Sequence, residues 1–134
     1  MSRKPFQPMP RICPFLYYKD LPAAIEQLTS AFGFRVRNAL RTPEGVIVGA
    51  ELELGDGVVI VAPGMEALGT RAVEDPQRVS SMVYVHVDDV ERHYAHAAEH
   101  GIAMRTEIFA HGAQGRMYTA SDCEGQRWTF VQAP

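Results

Sequence analysis

Cysteine is scarce in this chain of 134 residues, with only Cys13 and Cys123 present. Two thiols are too few for a disulfide framework or a four-ligand structural zinc site, so a reducing cytoplasm is the expected compartment. Tryptophan occurs once, and lysine is limited to Lys4 and Lys19 among 13 basic residues. Neither sign of charge dominates. The formal net charge of −3 gives no footprint for a nucleic-acid backbone and little attraction to anionic lipid. Long apolar runs are missing as well: stretches such as Val58 to Ala62 fall far short of the roughly 20 residues that cross a bilayer. The opening MSRKPFQPMPR contains three prolines and no apolar core, which is not the pattern of a secretory signal. Nucleic acid and membrane are thereby excluded as expected partners. What remains is the composition of one folded domain, 46% hydrophobic and 22% charged.

An internal repeat organises the chain. CPFLYYKDLPAAIEQLTSAFGF (13–34) and MVYVHVDDVERHYAHAAEHGI (82–102) share one pattern, with Asp89-Val90 standing 69 residues after Asp20-Leu21. Each opens with an alternating aromatic or β-branched run, which reads as a strand. An Asp then stands at the N-cap position, a helical stretch of about twelve residues follows, and Gly33 or Gly101 marks the stop. The first helix carries Leu21, Ile25, Leu28 and Phe32 on one stripe; the second carries Val90, Tyr94, Ala97 and Ala98. EGVIVGAELELGDGVVIVAP (44–63) matches QGRMYTASDCEGQRWTFVQAP (114–134), with Asp56-Gly57 over Glu124-Gly125 at a tight hairpin. Strands are expected near 12–18, 35–41, 46–54, 58–62, 81–87, 103–109, 115–121 and 126–132. The fold class is α+β, a single domain of two β-α-β-β-β units (about 12–63 and 81–133) joined by a Gly/Pro/charge-rich loop, 64–80.

Two such units resemble the vicinal-oxygen-chelate superfamily of glyoxalase I, extradiol dioxygenases, fosfomycin-resistance enzymes and bleomycin-resistance proteins. The stretch GRMYxxxDCEGQRWTF (115–130) is similar to the DPxGxxWxF ending of the bleomycin-resistance-like branch, with Cys123 in place of the proline. The resemblance implies a cup-shaped mixed sheet around a cavity, helices on its outer face, and frequent dimerisation. It also carries the metal-ligand positions of the metal-dependent members onto Cys13, Val61, Met82 and Thr129; a slip of one residue would substitute Ile60 or Val83. A divalent ion at such places needs His, Asp or Glu, so neither a metal nor another cofactor is expected.

Strand alternation then describes the face that would line the cavity. With Cys13 and Met82 inward, Phe15, Tyr17, Tyr84 and His86 share their face, while Leu16, Tyr18, Val83, Val85 and Val87 lie beneath the helices. Arg127, Thr129 and Val131, with Val59 and Val61, share the inward parity. The parity of strand 115–121 is ambiguous from the pattern, and the resemblance implies that Met117 and Thr119 face in. The expected ligand-binding set is Phe15, Tyr17, Val59, Val61, Met82, Tyr84, His86, Met117, Thr119, Arg127 and Thr129. Rings and methyls of this kind suit a flat aromatic ligand, and a cationic one would add cation–π attraction. The competing reading is that the aromatics merely fill a barrel core.

The remaining candidates have plainer explanations. His93, His96 and His100 avoid the stripe of Val90, Tyr94 and Ala97, so they are placed on a solvated face and not at a metal. His86 has no visible partner to orient it as a base. Trp128, opposite in parity to Thr129, is expected against a helix. Cys13 reads as a structural thiol, and Asp122 and Glu124 as turn residues. His111 lies in a loop with no further warrant. The expected function is sequestration, without catalysis, of a hydrophobic aromatic or peptide-like natural product or antibiotic by a homodimer. The alternative is an enzyme of the same superfamily, a lyase, isomerase or dioxygenase, using misplaced metal ligands or His86, Tyr17 or Arg127.

Overall fold

The computed structural model describes residues 9–134, so the reading of the chain's first eight residues lies outside the described part. Two compact units emerge. Unit 1 comprises the residues up to Thr29 together with Gly33–Ala72, and unit 2 comprises Ser30–Phe32 and Val73–Pro134. The first repeat contains β1 (Phe15–Tyr17), α1 (Leu21–Phe32), β2 (Arg35–Arg41), β3 (Ile47–Leu54) and β4 (Gly57–Ala62). The second contains β5 (Met82–His86), α2 (Val90–Glu99), β6 (Ala103–Met104), β7 (Phe109–Ala110), β8 (Arg116–Ser121) and β9 (Arg127–Gln132).

Both helices start where an Asp can accept from the exposed amides of a first turn. Asp20 Oδ1 accepts from the Ala23 amide at 3.2 Å, and Asp89 Oδ1 from the Arg92 amide at 3.1 Å. Gly33 ends α1 in the left-handed region, and the Phe34 amide returns to the Leu28 carbonyl. The buried stripe of α1 is Leu21, Ala24, Leu28, Ala31 and Phe32. The two sheets repeat one topology. In the order β1-β4-β3-β2, β1 is parallel to β4 and the other pairs are antiparallel. In the order β5-β9-β8-β6, β5 is parallel to β9, and β7 also pairs β8.

The strand expected at 103–109 is broken into β6 and β7. Its cause is a bulge: the amides of Arg105 and Thr106 both bond the Thr119 carbonyl, and Thr106 Oγ1 accepts from the Thr119 amide. The hairpins differ too. Leu54 pairs Gly57, so the β3–β4 turn is Gly55-Asp56, with the positive φ of 59° at Gly55. That is the II′ arrangement, one residue earlier than an Asp-Gly turn. The β8–β9 hairpin needs three residues, Cys123, Glu124 and Gly125, between Asp122 and Gln126. Asp122 is its keystone: Oδ1 accepts from the Glu124 and Gln126 amides, and Oδ2 from Trp128 Nε1 at 3.0 Å. Asp122 is thus a turn residue, as expected.

Candidate functional site

Strand register decides which side chains share a face, because in-register partners point the same way. In unit 2, Met82 pairs Arg127, Tyr84 pairs Thr129, and His86 pairs Val131. Across β9, Thr129 pairs Thr119 and Val131 pairs Met117. Met82, Tyr84, His86, Met117, Thr119, Arg127 and Thr129 therefore occupy one face, as the alternation predicts. The ambiguity at 115–121 is resolved by this register. Met82 is 53% exposed and Tyr84 44%, and the rings of Tyr84 and His86 meet edge to face at 5.5 Å. Met117 and Thr129 are buried, Thr129 to 1%. Thr129 Oγ1 lies 2.9 Å from Met82 Sδ and 2.7 Å from Thr119 Oγ1. A thioether only accepts, so Thr129 donates to Met82 and receives the Thr119 proton.

In unit 1, Phe15 pairs Ile60 and Leu16 pairs Val61. Val61 and Val59 therefore belong to the face of Leu16, and both are buried. This corrects their assignment to the ligand face; Ile60 is the true counterpart of Thr129. The hairpin is the physical reason. Aligning Gly57 with Gly125 equates a two-residue loop with a three-residue one, and the error of one residue inverts every side chain of β4. Phe15 and Tyr17 remain on the expected face, Phe15 45% exposed, their rings stacked at 5.4 Å. The same face carries two cross-strand ion pairs that were not foreseen, Arg35–Glu53 at 3.1 Å and Arg37–Glu51 at 3.7 Å. The alternations Arg35-Val36-Arg37 and Glu51-Leu52-Glu53 were their signal.

The other face of the unit 2 sheet holds a ring cluster. Phe32, Trp128, Phe130, Tyr118 and His93 pack together, with His93 and Phe130 centroids 4.2 Å apart. His93 is the second correction, because it is not on a solvated face. Val90, His93 and Ala97 stand at i, i+3 and i+7, which puts the imidazole on the buried stripe. Its Nε2 lies 2.9 Å from the Phe32 carbonyl, which can only accept, so Nε2 carries the hydrogen and Nδ1 accepts from Tyr118 Oη at 2.6 Å. Burial is the main cause that lowers the His93 pKa, with the bond to Phe32 opposing it and His96 reinforcing it. Burial likewise raises the Tyr118 pKa. His96 is exposed and reaches the Ser30 carbonyl at 2.7 Å.

The sequence profile of the Glyoxalase/Bleomycin resistance protein/Dioxygenase superfamily matches residues 10–130. The chain belongs to this superfamily. Among solved structures similar to it is TioX from Micromonospora sp. ML1, 29% identical, with a TM-score of 0.70 over 92% of this chain and 98% of that one. TnmS3, an antibiotic binding protein from Streptomyces sp. CB03234, is 16% identical, with a TM-score of 0.69 over 90% of this chain and 92% of that one. The fosfomycin resistance protein FosX from Listeria monocytogenes is 13% identical, with a TM-score of 0.68 and 95% of each chain covered. Among curated proteins no match is found.

Superfamily members that use a metal hold it with carboxylate and imidazole donors, and the residues here do not fit that ion. Met82 and Thr129 bond each other as thioether and hydroxyl, Cys13 Sγ donates to the Pro10 carbonyl, and Ile60 and Val61 have no donor atom. No group of three or more His, Cys, Asp or Glu able to hold a metal occurs among the described residues. No helix among them is long and apolar enough to cross a membrane.

Proposed function

We propose that this protein binds a hydrophobic, largely aromatic small molecule, of the natural-product or antibiotic kind, and protects by sequestration. The supporting observation is the exposure of rings at matching positions of the two repeats. Phe15 stacks on Tyr17 at the start of the first sheet, and Tyr84 stands between Met82 and His86 at the start of the second. Large apolar side chains left this exposed in a row mark a binding surface. Each ring stacked on a ligand contributes about 0.5–1.5 kcal/mol beyond the area it buries. The likeness to TnmS3, an antibiotic binding protein, agrees with this reading at the level of fold. A homodimer is part of the proposal, supported by the exposed Leu40, Val46 and Val48 on β2, β3 and their connection; sedimentation of Val48→Lys against the parent chain tests it.

The test of binding is a thermal-shift screen of aromatic natural products. A ligand at a hundredfold excess over its Kd adds about 2.7 kcal/mol to stability. Tyr84→Ala should weaken a hit seated on the unit 2 face about tenfold, and Phe15→Ala one seated on the unit 1 face, the worth of one stacked ring. Glu107→Gln, at an exposed position, should leave it unchanged. A screen without a hit, or equal losses in all three variants, refutes the assignment.

A further inference from the structure

Two arginines at one end of the unit 2 sheet form no ion pair among the described residues. Arg105, just past β6, and Arg127, first in β9, both donate to the Pro76 carbonyl, at 3.1 Å through Nη2 and 2.9 Å through Nη1. Arg105 Nη1 also lies 3.5 Å from Gln77 Oε1, and Arg127 reaches the Gly125 carbonyl. Every one of these partners is a neutral oxygen. Asp122 and Asp75 lie near enough to favour the charged form of Arg127, while burial and then Arg105 oppose it more strongly. Among the described residues, the hydrogen bonds of Arg105 and Arg127 go to neither acid. Asp122 is engaged by its turn and by Trp128, and Asp75 Oδ1 by the Gln77 amide.

The segment that supplies the carbonyl is seated closely. Pro76 fits against Gly125 so tightly that a Cβ there would lie 2.7 Å from Pro76 Cβ. Gln126 Nε2 donates to the Ser81 carbonyl at 3.3 Å. Ser121, the register partner of Arg127, has a buried hydroxyl without a hydrogen-bond partner among the described residues. Two guanidinium forks around a neutral oxygen form a site better matched to an anionic one, since charge-assisted bonds are about twice as strong.

We propose that Arg105 and Arg127 form a carboxylate-binding site, and that the Asp75–Ser81 segment is a plug whose Pro76 carbonyl an acidic ligand displaces. The inference deepens the function proposed above and rests on it for the remainder of the ligand. Arg127 is in register with Met82 and shares the face of Tyr84, so the acid sits at the end of the surface on which a ring stacks. The ligand class is an aryl carboxylate.

2-Naphthoate and its neutral counterpart 2-naphthamide, titrated into the full chain at matched ionic strength, test this. The arginine Nε–H and Met82 methyl resonances are followed by NMR. Naphthoate should shift Arg105, Arg127 and Met82 along one saturable curve, whereas naphthamide shifts Met82 alone. Naphthoate should also speed trypsin cleavage after Arg78 severalfold, and Arg105→Gln should weaken its binding about tenfold, as loss of a charge-assisted bond implies. Met82 responding to both probes with the arginines silent would overturn the acid site and leave the ring surface standing. The arginines responding without Met82 would uphold the acid site and remove the ring surface. Equal shifts with sodium chloride overturn the acid site, and unaltered cleavage at Arg78 overturns the plug.

Discussion

The two sheets have the same strand order and parallel first pair, yet they solve the burial problem with different chemistry. The buried sheet face of unit 1 is mostly aliphatic: Leu16, Ala50, Leu52, Val59 and Val61 share it, and Tyr18 and Phe34 are its buried rings. That of unit 2 is aromatic and polar, with Trp128, Phe130 and Tyr118 closed by His93 and Asp122 through hydrogen bonds. Their opposite faces reverse the contrast. The Phe15 face bears two ion pairs, while the Tyr84 face bears hydroxyls and a thioether around Arg127. A shared topology thus constrains where side chains point and leaves their chemistry free, which lets one fold carry a face of paired charges and a face of hydroxyls and a thioether beside an arginine.

The largest test of this contrast is in the cores. Phe130→Ala should cost about 3–5 kcal/mol in urea denaturation, while the volume-conserving Leu52→Met in unit 1 should cost less than about 1.5 kcal/mol. Similar losses would mean that the aliphatic core is as closely specified as the aromatic one. Next are the ion-paired face and the hydroxyl-bearing face. Glu51→Gln removes the negative charge facing Arg37, whose side chain is 3% exposed, and should cost about 3 kcal/mol. Thr119→Val removes one neutral hydrogen bond and should cost about 1 kcal/mol by the same measurement.

The hairpins give a smaller difference. Asp122→Ala forfeits three hydrogen bonds and should cost about 2 kcal/mol; Asp56→Ala, in the two-residue turn, should stay within about 0.5 kcal/mol. The smallest effect is the acid sensitivity that His93 contributes to unit 2. His93 has its pKa lowered below the ordinary 6.5, so below that pH the unfolded chain binds more protons than the folded one. Stability then rises with pH through the window under 6.5 and is lost as pH falls. In His93→Gln the thermal midpoint should be lower at neutral pH and flatter across pH 5–7.

Much of the architecture was legible because it is written in periodicities. The Asp caps, the glycine stops and the alternating strands each report a local backbone requirement, and unit 2's Tyr84 face followed from a period of two. What escaped depends on pairings between strands or on helix phase. Whether β4 shows Ile60 or Val61 to the Phe15 face turns on a single loop residue, which glycine spacing conceals. His93 was missed because polar identity outweighed its position between Val90 and Ala97. The partners of Arg105 and Arg127 lie some 30 and 50 residues away in sequence, beyond the reach of any local pattern.

Ser30–Phe32, the last turn of α1, belong to unit 2. The Phe32 ring stands among Trp128, Phe130 and His93, and its carbonyl is held by the imidazole. Severing the chain anywhere in 64–80 would leave the C-terminal fragment with a vacancy the size of a phenyl ring among Trp128, Phe130 and His93. The repeats are therefore not interchangeable modules, and dissected halves would regain order only by complementation.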